Sequence, residues 1–270
     1  MASGFMPAGF WEVAQPLLPE DKPVGTKGGR PRVLNEVVLP VIWYVLTTGI
    51  RWQDVLASMG CSGRTAHRRL RHWQALGIWD SLHQKLLALL NGTGQLNLEV
   101  VVIDSTMVPA PGGGDATGPN PTDRGKSGSK HTLLVDGNGV PLALRTSGAN
   151  TSDQTEIVPI ITEFPRVKGK PGRPKGHPDE AYADRGYDNQ ATRLIFRWLG
   201  IEPHIAKRRT EHGSGLGTVR WVVERTNAWL KGLRRMRLRY DRLGVIQEAW
   251  NTLAACVICF RLLHDDTTPG

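Results

Sequence analysis

A chain of 270 residues is long enough to bury a real core as one large or two modest domains, and a formal net charge of +9 with a pI near 9.8 points to a polyanionic partner. Its cysteines, Cys61, Cys256 and Cys259, read as reduced core thiols, because no second Cys pair or His pair stands at zinc spacing. Met1 to Glu20 has no secretory pattern, and the longest apolar segments, around Val37 to Val45 and Ala254 to Leu263, are too short to span a bilayer, so the expected location is the cytoplasm.

Residues 22–32 are basic and rich in Pro and Gly, ending Gly28-Gly29-Arg30-Pro31-Arg32. Arg30 and Arg32 suit either an extended arm in a DNA minor groove or a solvated linker. From Leu34 to Leu90 the apolar spacing turns helical. Val37, Val41, Tyr44 and Val45 give a first stripe closed by Gly49, and Trp52, Val55 and Leu56 a second closed by Gly60. A third helix starts from the N-cap candidate Ser62 and buries Leu70, Trp73 and Leu76. Arg64, Arg68, Arg69, Arg71 and His72 belong to that helix, with no acid between Arg64 and Gln74. Two short helices before a basic third one is the arrangement of a helix-turn-helix, whose last helix reads DNA in the major groove. A further helix, Trp79 to Leu90, runs into Asn91-Gly92-Thr93-Gly94, a natural boundary between a domain at 1–94 and another at 95–270.

The second segment opens on Glu99-Val100-Val101-Val102-Ile103-Asp104-Ser105-Thr106, a β-branched run that ends on a carboxylate. Such a run reads as a strand buried on both faces. Its terminal Asp104 either caps a turn or needs a cation or donors to offset its burial. Pro109 to Gly128 has no regular signal. His131 to Val135 and Val140 to Arg145, joined by Asp136-Gly137-Asn138-Gly139, read as an antiparallel hairpin beside the Asp104 strand. A short helix, Thr155 to Phe164, precedes a second Gly-Arg-Pro stretch whose Arg173 and Lys175 suit phosphates or a minor groove, or a flexible loop. Glu180 to Ala183 is a short strand ending in Asp184, and with a helix over Asn189 to Leu199 and a strand over Glu202 to Ala206 it makes a β-α-β unit.

The last informative element is a helix from about Thr218 to Arg235. At about 100° per residue, Arg220, Glu224 and Lys231 fall within about 40° of one another, with Asn227 on the same face. Val222, Trp229 and Leu233 point toward a core. Alone, Arg220 and Glu224 are an ordinary surface pair worth a few tenths of a kcal/mol. Together, two strand-end aspartates and one helix glutamate are the parts that gather oxygen ligands for two Mg²⁺ ions, with Mn²⁺ as a substitute, and so for phosphodiester chemistry.

These residues resemble bacterial insertion-sequence transposases of the DDE type, specifically the insertion-sequence four/five superfamily. The resemblance rests on Val102-Ile103-Asp104-Ser105-Thr106, on Ala183-Asp184-Arg185-Gly186-Tyr187-Asp188, and on Arg220-x-x-x-Glu224-x-x-x-x-x-x-Lys231 continuing into Arg234-Arg235-Met236-Arg237. The family's leading Tyr would fall at Gly217, where this sequence departs, and Lys207 to Leu216 is too short for the β-strand insertion many relatives carry there. The resemblance implies an α/β fold, a ribonuclease-H-like mixed sheet flanked by helices and preceded by a small all-α helix-turn-helix domain. It implies Asp104, Asp184 and Glu224 as the metal-binding catalytic triad, and Arg220 and Lys231, with Arg234 and Arg235 beside them, as contacts to transposon-end DNA. The implied partners are terminal inverted repeats, target DNA and a second copy of the chain. Asp153 and Asp188 stand as further metal-ligand candidates. Two other functions use the same residues: a DNA-binding regulator that keeps the fold without the chemistry, and a stand-alone nuclease.

Overall fold

A computed structural model of the chain describes residues 5–21, 31–207 and 217–264. The N-terminal part is helical: α1 (Ala8–Ala14), α2 (Asn35–Thr48), α3 (Gly63–Ala75) and α4 (Ile78–Gly92). Gly49 closes α2 at a φ of 71°, a left-handed C-cap that glycine adopts without strain. Ser62 caps α3 by accepting from the Thr65 backbone N–H. The expected second helix is absent: Trp52–Asp54 and Ala57–Met59 are two 3₁₀ turns separated by the extended residues Val55 and Leu56. Tertiary packing overrides the helical spacing here. The Trp52 indole stacks on Trp250 at 5.5 Å, and a Cβ on Gly63 would lie 1.8 Å from the Trp52 carbonyl oxygen, so the turn is pressed against the start of α3. Leu76, expected in the core, lies just past the end of α3 and is exposed.

The remainder is a mixed sheet with helices packed on it. Its strands are β1 (Val100–Pro109), β2 (Gly118–Pro119), β3 (Ser127–Asp136), β4 (Pro141–Gly148), β5 (Glu180–Ala183) and β6 (Glu202–Ile205). The long strands run in the order β4-β3-β1-β5-β6, with the two-residue β2 added beyond the end of β4 on β3. The β4-β3-β1 part is antiparallel and the β1-β5-β6 part parallel. The helices of this part are α5 (Asp153–Thr162), α6 (Gln190–Trp198), α7 (Gly217–Gly232) and α8 (Gly244–His264). This is the expected ribonuclease-H-like mixed sheet.

The two strands of the expected β-α-β unit, β5 and β6, pair in parallel, and the β3–β4 hairpin closes through Asp136, whose carboxylate accepts from the backbone N–H groups of Asn97, Asn138 and Val140. Within that turn Gly139 supplies the positive φ, at 85°. Strand residues alternate faces. Asp104 therefore meets α7, through Asn227, while the next residue, Ser105, meets α5 through Asp153.

α8 corrects one expectation from the sequence, since its 21 residues are long and apolar enough to cross a membrane by length and composition. It serves instead as a core helix, with Trp250, Leu253, Ala254, Cys256 and Cys259 buried and with α4, β4 and α3 packed on it. One hydrophobic cluster runs from Phe10 and Leu39 through Leu86 to Val102, Leu134 and Val257, so the helices before Gly94 and the sheet after it share a core.

Candidate functional site

The sheet's register puts the two aspartates side by side. β1 and β5 pair in parallel from Val100↔Glu180 to Ile103↔Ala183, and Asp104 and Asp184 are the next residue on each. Neighbouring strands lie roughly 4.8 Å apart, so these carboxylates are near neighbours by construction. β1 does not end at Asp104 as the sequence suggested. It continues alongside β3 to Pro109, and only the parallel half of its pairing stops, which opens a cleft at the carboxyl end of β5.

Each aspartate has one oxygen held and one presented. Asp104 Oδ2 accepts from the Asn227 side-chain amide at 3.0 Å. Asp184 Oδ1 accepts from the backbone N–H of Gly186, as the N-cap of the 3₁₀ turn Arg185–Tyr187. The other two oxygens face one group: Arg220 Nη2 lies 3.9 Å from Asp104 Oδ1 and 3.9 Å from Asp184 Oδ2. Both separations exceed hydrogen-bond length, so the guanidinium meets these two carboxylates by charge and not by a hydrogen bond. Burial pushes the Asp104 carboxyl up to about 6 against the lowering effects of the Ser105 N–H and Arg220, and nearby Asp184 and Glu224 raise it further. The side chain of Glu224 is exposed on the solvent side of α7.

Among the described residues no three His, Cys, Asp or Glu side chains form a ready metal cluster. The donor set nonetheless fits a hard cation. One carboxylate oxygen of each aspartate faces a position already taken by positive charge, and a third acid stands on the adjoining helix. The Asn227 Oδ1 is a buried acceptor with no donor among the described residues. Leaving such an atom unsatisfied costs about 1–3 kcal/mol, and this one lies beside the acids.

A second layer supports the aspartates from the opposite face of the sheet. Lys130 of β3, 3% exposed, donates to Asp153 Oδ1 at 2.6 Å and also to the Thr151 carbonyl, and Ser105 Oγ donates to the same Asp153 oxygen at 3.0 Å. A Cβ on Gly186 would lie 2.9 Å from both Asp153 Oδ2 and Asp184 Oδ1, so a larger residue there would push at least one of the two carboxylates aside. Asp153 is thus paired with Lys130, and Asp188 is paired with Arg193 at 2.8 Å. Lys130 went unseen because its sequence neighbours read as a plain strand. Asn227 stood on the Glu224 face of its helix, and that was the available signal.

The basic residues divide. Arg64, Arg68, Arg71 and His72 are exposed on α3. Arg69 is not: it is 7% exposed and donates to Asn35 Oδ1 at 2.7 Å and the Val33 carbonyl at 2.8 Å, which corrects its placement as a DNA contact. Arg32 and Arg173 are exposed, Lys175 pairs with Asp179 at 2.6 Å, and Arg30 lies outside the described residues, as does most of 207–216. Lys231 and Arg234 are exposed at the end of α7 and in the 3₁₀ turn Arg234–Arg237 that follows. Arg235 points inward, 4% exposed, and binds Asp241 at 2.7 Å among Trp52, Tyr240 and Trp250, a second correction. Val222 on α7 and Leu233 just after it are buried as expected, while Trp229 is half-buried against Arg225.

The family model described as "Transposase DDE domain" matches residues 96–259, which span the sheet, both aspartates and Glu224. The chain belongs to the DDE transposases. A second model, described as "Putative transposase of IS4/5 family", matches residues 6–83 of this DDE transposase, the helical part. It is 53% identical over 148 residues to the "Putative transposase for insertion sequence element IS402" of Burkholderia cepacia, covering 55% of this chain and 70% of that protein. It is 44% identical over 123 residues to the "Insertion element IS402 uncharacterized 16.2 kDa protein" of the same organism, covering 45% of this chain and 84% of that one. Likeness to solved structures is weak. A simian T-cell lymphotropic virus intasome chain aligns at 16% identity and a TM-score of 0.38, over 65% of this transposase and 57% of that chain. The Mos1 strand transfer complex aligns at 12% identity and 0.27, over 93% and 82%.

Proposed function

We propose that this transposase binds the terminal inverted repeats of an insertion sequence, cleaves at each end to free a 3′-hydroxyl, and joins those hydroxyls to target DNA. The observation that supports this most is the convergence of the free oxygens of Asp104 and Asp184 on one cationic position beside Glu224. Asp104, Asp184 and Glu224 would hold Mg²⁺, two ions in the complete site, with Mn²⁺ as a substitute. When bound, such a pair lowers the pKa of the attacking oxygen and takes up charge on the leaving oxygen.

The chain's own residues do the rest. Arg220, Lys231 and Arg234 bring positive charge to one edge of the cleft and grip the phosphates of the transposon end. Both steps are displacements at phosphorus. In the first, a water oxygen bonds to phosphorus and the 3′-oxygen leaves, taking a proton. In the second, that 3′-hydroxyl bonds to a target phosphorus, loses its proton, and the target's own 3′-oxygen leaves. No side chain is joined to DNA, so no Ser or Tyr nucleophile is required.

In this proposal residues 1–94 are the DNA-binding unit and 95–270 the catalytic one. The exposed face of α3, with Arg64, Arg68, Arg71 and His72, enters a major groove. Arg32, Arg173 and Lys175 reach phosphates or a minor groove, since an exposed pair such as Lys175–Asp179 is weak enough to yield to phosphate. Two ends must be held together, so a homodimer forms on DNA, in the cytoplasm at the nucleoid. The test is cleavage and joining of labelled DNA bearing the element's ends, in Mg²⁺ or EDTA. Glu224→Gln is expected to bind ends normally and to lose both activities. Tight end binding with no cleavage by the unaltered chain would instead favour the regulator, and cutting of any DNA without joining would favour the nuclease.

A further inference from the structure

We propose that Asn227 is a positioning residue for Asp104: its amide holds one carboxylate oxygen so that the other is turned to the point Asp184 also faces. Asn227 lies on α7 one turn beyond Glu224 and is 8% exposed. A carboxylate only accepts, so the amide nitrogen is the atom that faces Asp104, and it donates to Oδ2 at 3.0 Å. That leaves Oδ1 toward Arg220. Asp184 reaches the same state by a different device, the backbone N–H of Gly186. The chain turns after Asp184 and so brings that donor to it; at Asp104 β1 runs on, and beside the Ser105 N–H it is a side chain of α7 that donates to Oδ2.

Packing alone does not account for an amide at this position. The residues one helical turn to either side, Val223 and Leu230, are buried and apolar, and a leucine would fill the space without a polar atom to satisfy. Instead the side chain carries a buried Oδ1 with no donor among the described residues, next to the acids. An asparagine kept for folding has both ends matched. One matched only on the carboxylate side belongs to the site, and its free acceptor suits a water entering with a cation.

The inference rests on Asp104 being a cation ligand, and the experiment separates the two. Mn²⁺ binding to the full chain without DNA is measured by calorimetry for the original protein, Asn227→Leu and Asp104→Asn, with end-DNA binding in EDTA measured in parallel. Asn227→Leu is expected to weaken Mn²⁺ binding by about tenfold to a hundredfold, the range for groups that orient metal ligands, and to leave end-DNA binding unchanged. Unchanged Mn²⁺ affinity in Asn227→Leu, with affinity lost in Asp104→Asn, overturns this inference alone. Unchanged affinity in both removes the metal assignment of Asp104 and this inference with it. Should the leucine variant not fold, Asn227→Ser and Asn227→Ala decide the matter. The serine keeps a donor and must bind Mn²⁺ more tightly than the alanine; equal affinities overturn the proposal.

Discussion

Arg220 and Arg235 stand on the same stretch of chain, each among acids, and they are held in opposite ways. Arg235 is closed in. Its Nη2 donates to Asp241 Oδ2 at 2.7 Å, Trp250 Nε1 donates to the same oxygen at 3.0 Å, and the guanidinium lies over the rings of Trp52, Tyr240 and Trp250. Arg220 is left open, 3.9 Å from each of two carboxylates, with its Nε buried and without a partner among the described residues. The closed cluster joins the turn before α3 to α8 and is part of the structure. The open one is a site. A charged group whose donors are matched stabilises the fold, whereas one held only by distant charge is free to be exchanged.

The largest expected effect comes from breaking the closed cluster. Arg235→Ala removes from Asp241, 11% exposed on its side chain, the guanidinium that donates to it, leaving the more distant His67 and Arg239. Removing one partner of a buried pair costs about 3–5 kcal/mol, so urea unfolding should show a loss of that size. A loss under about 1 kcal/mol, the range of a surface pair, would put Arg235 in the same class as Arg220 and undo the contrast.

The contrast also marks the limit of what the sequence told. Charge type is visible in a sequence, but the direction a side chain takes is visible only where a periodic pattern fixes it. Arg69 precedes Trp73 by four residues, about 40° away on the helix, so its burial was there to be read. Arg235 follows the end of α7, where no period applies, and its burial depends on Trp250 of a later helix. The strands were legible for the same reason as Arg69: Val100 to Ile103 and the runs around Asp136 to Gly139 carry strong local signals. The continuation of β1 past Asp104 was not, because Ser105, Thr106 and Met107 become strand only through β3 beside them. The 3₁₀ turn at Trp52–Asp54 was hidden likewise, since the packing that shapes it comes from α3 and α8.

A somewhat smaller effect tests whether the core shared by the helices and the sheet titrates as one. His83 of α4 donates its Nε2–H to the Pro141 carbonyl at 2.9 Å, and burial lowers its pKa to about 4. A histidine whose folded pKa lies below the unfolded value of about 6.5 stabilises above that value and loses its contribution as pH falls toward 4. Asp136 works in the opposite sense: burial raises it to about 7, so what it contributes at low pH is lost as pH rises through that value. The informative quantity is therefore a difference between variants. His83→Gln keeps a donor and loses the titrating ring, so its stability deficit should shrink by about 2.5 kcal/mol between about pH 7.5 and pH 4.5. A deficit constant across that window would mean His83 reaches solvent, and the contact between α4 and β4 would be looser than their shared core implies.

The smallest effect on stability should come from opening the open cluster further. Arg220 makes no hydrogen bond to either aspartate and is 22% exposed, so Arg220→Ala should change unfolding free energy by no more than about 1 kcal/mol. Its consequences fall on ligands, with two signs. End-DNA affinity in EDTA should drop, because a cation that faces the scissile region is gone. Mn²⁺ affinity in the absence of DNA should rise, because the guanidinium no longer occupies the position between Asp104 Oδ1 and Asp184 Oδ2. Calorimetry on the DNA-free chain reads the second sign directly. A fall in Mn²⁺ affinity would mean that Arg220 helps to assemble the acids instead of competing for them, and the two arginines would then differ in degree and not in kind.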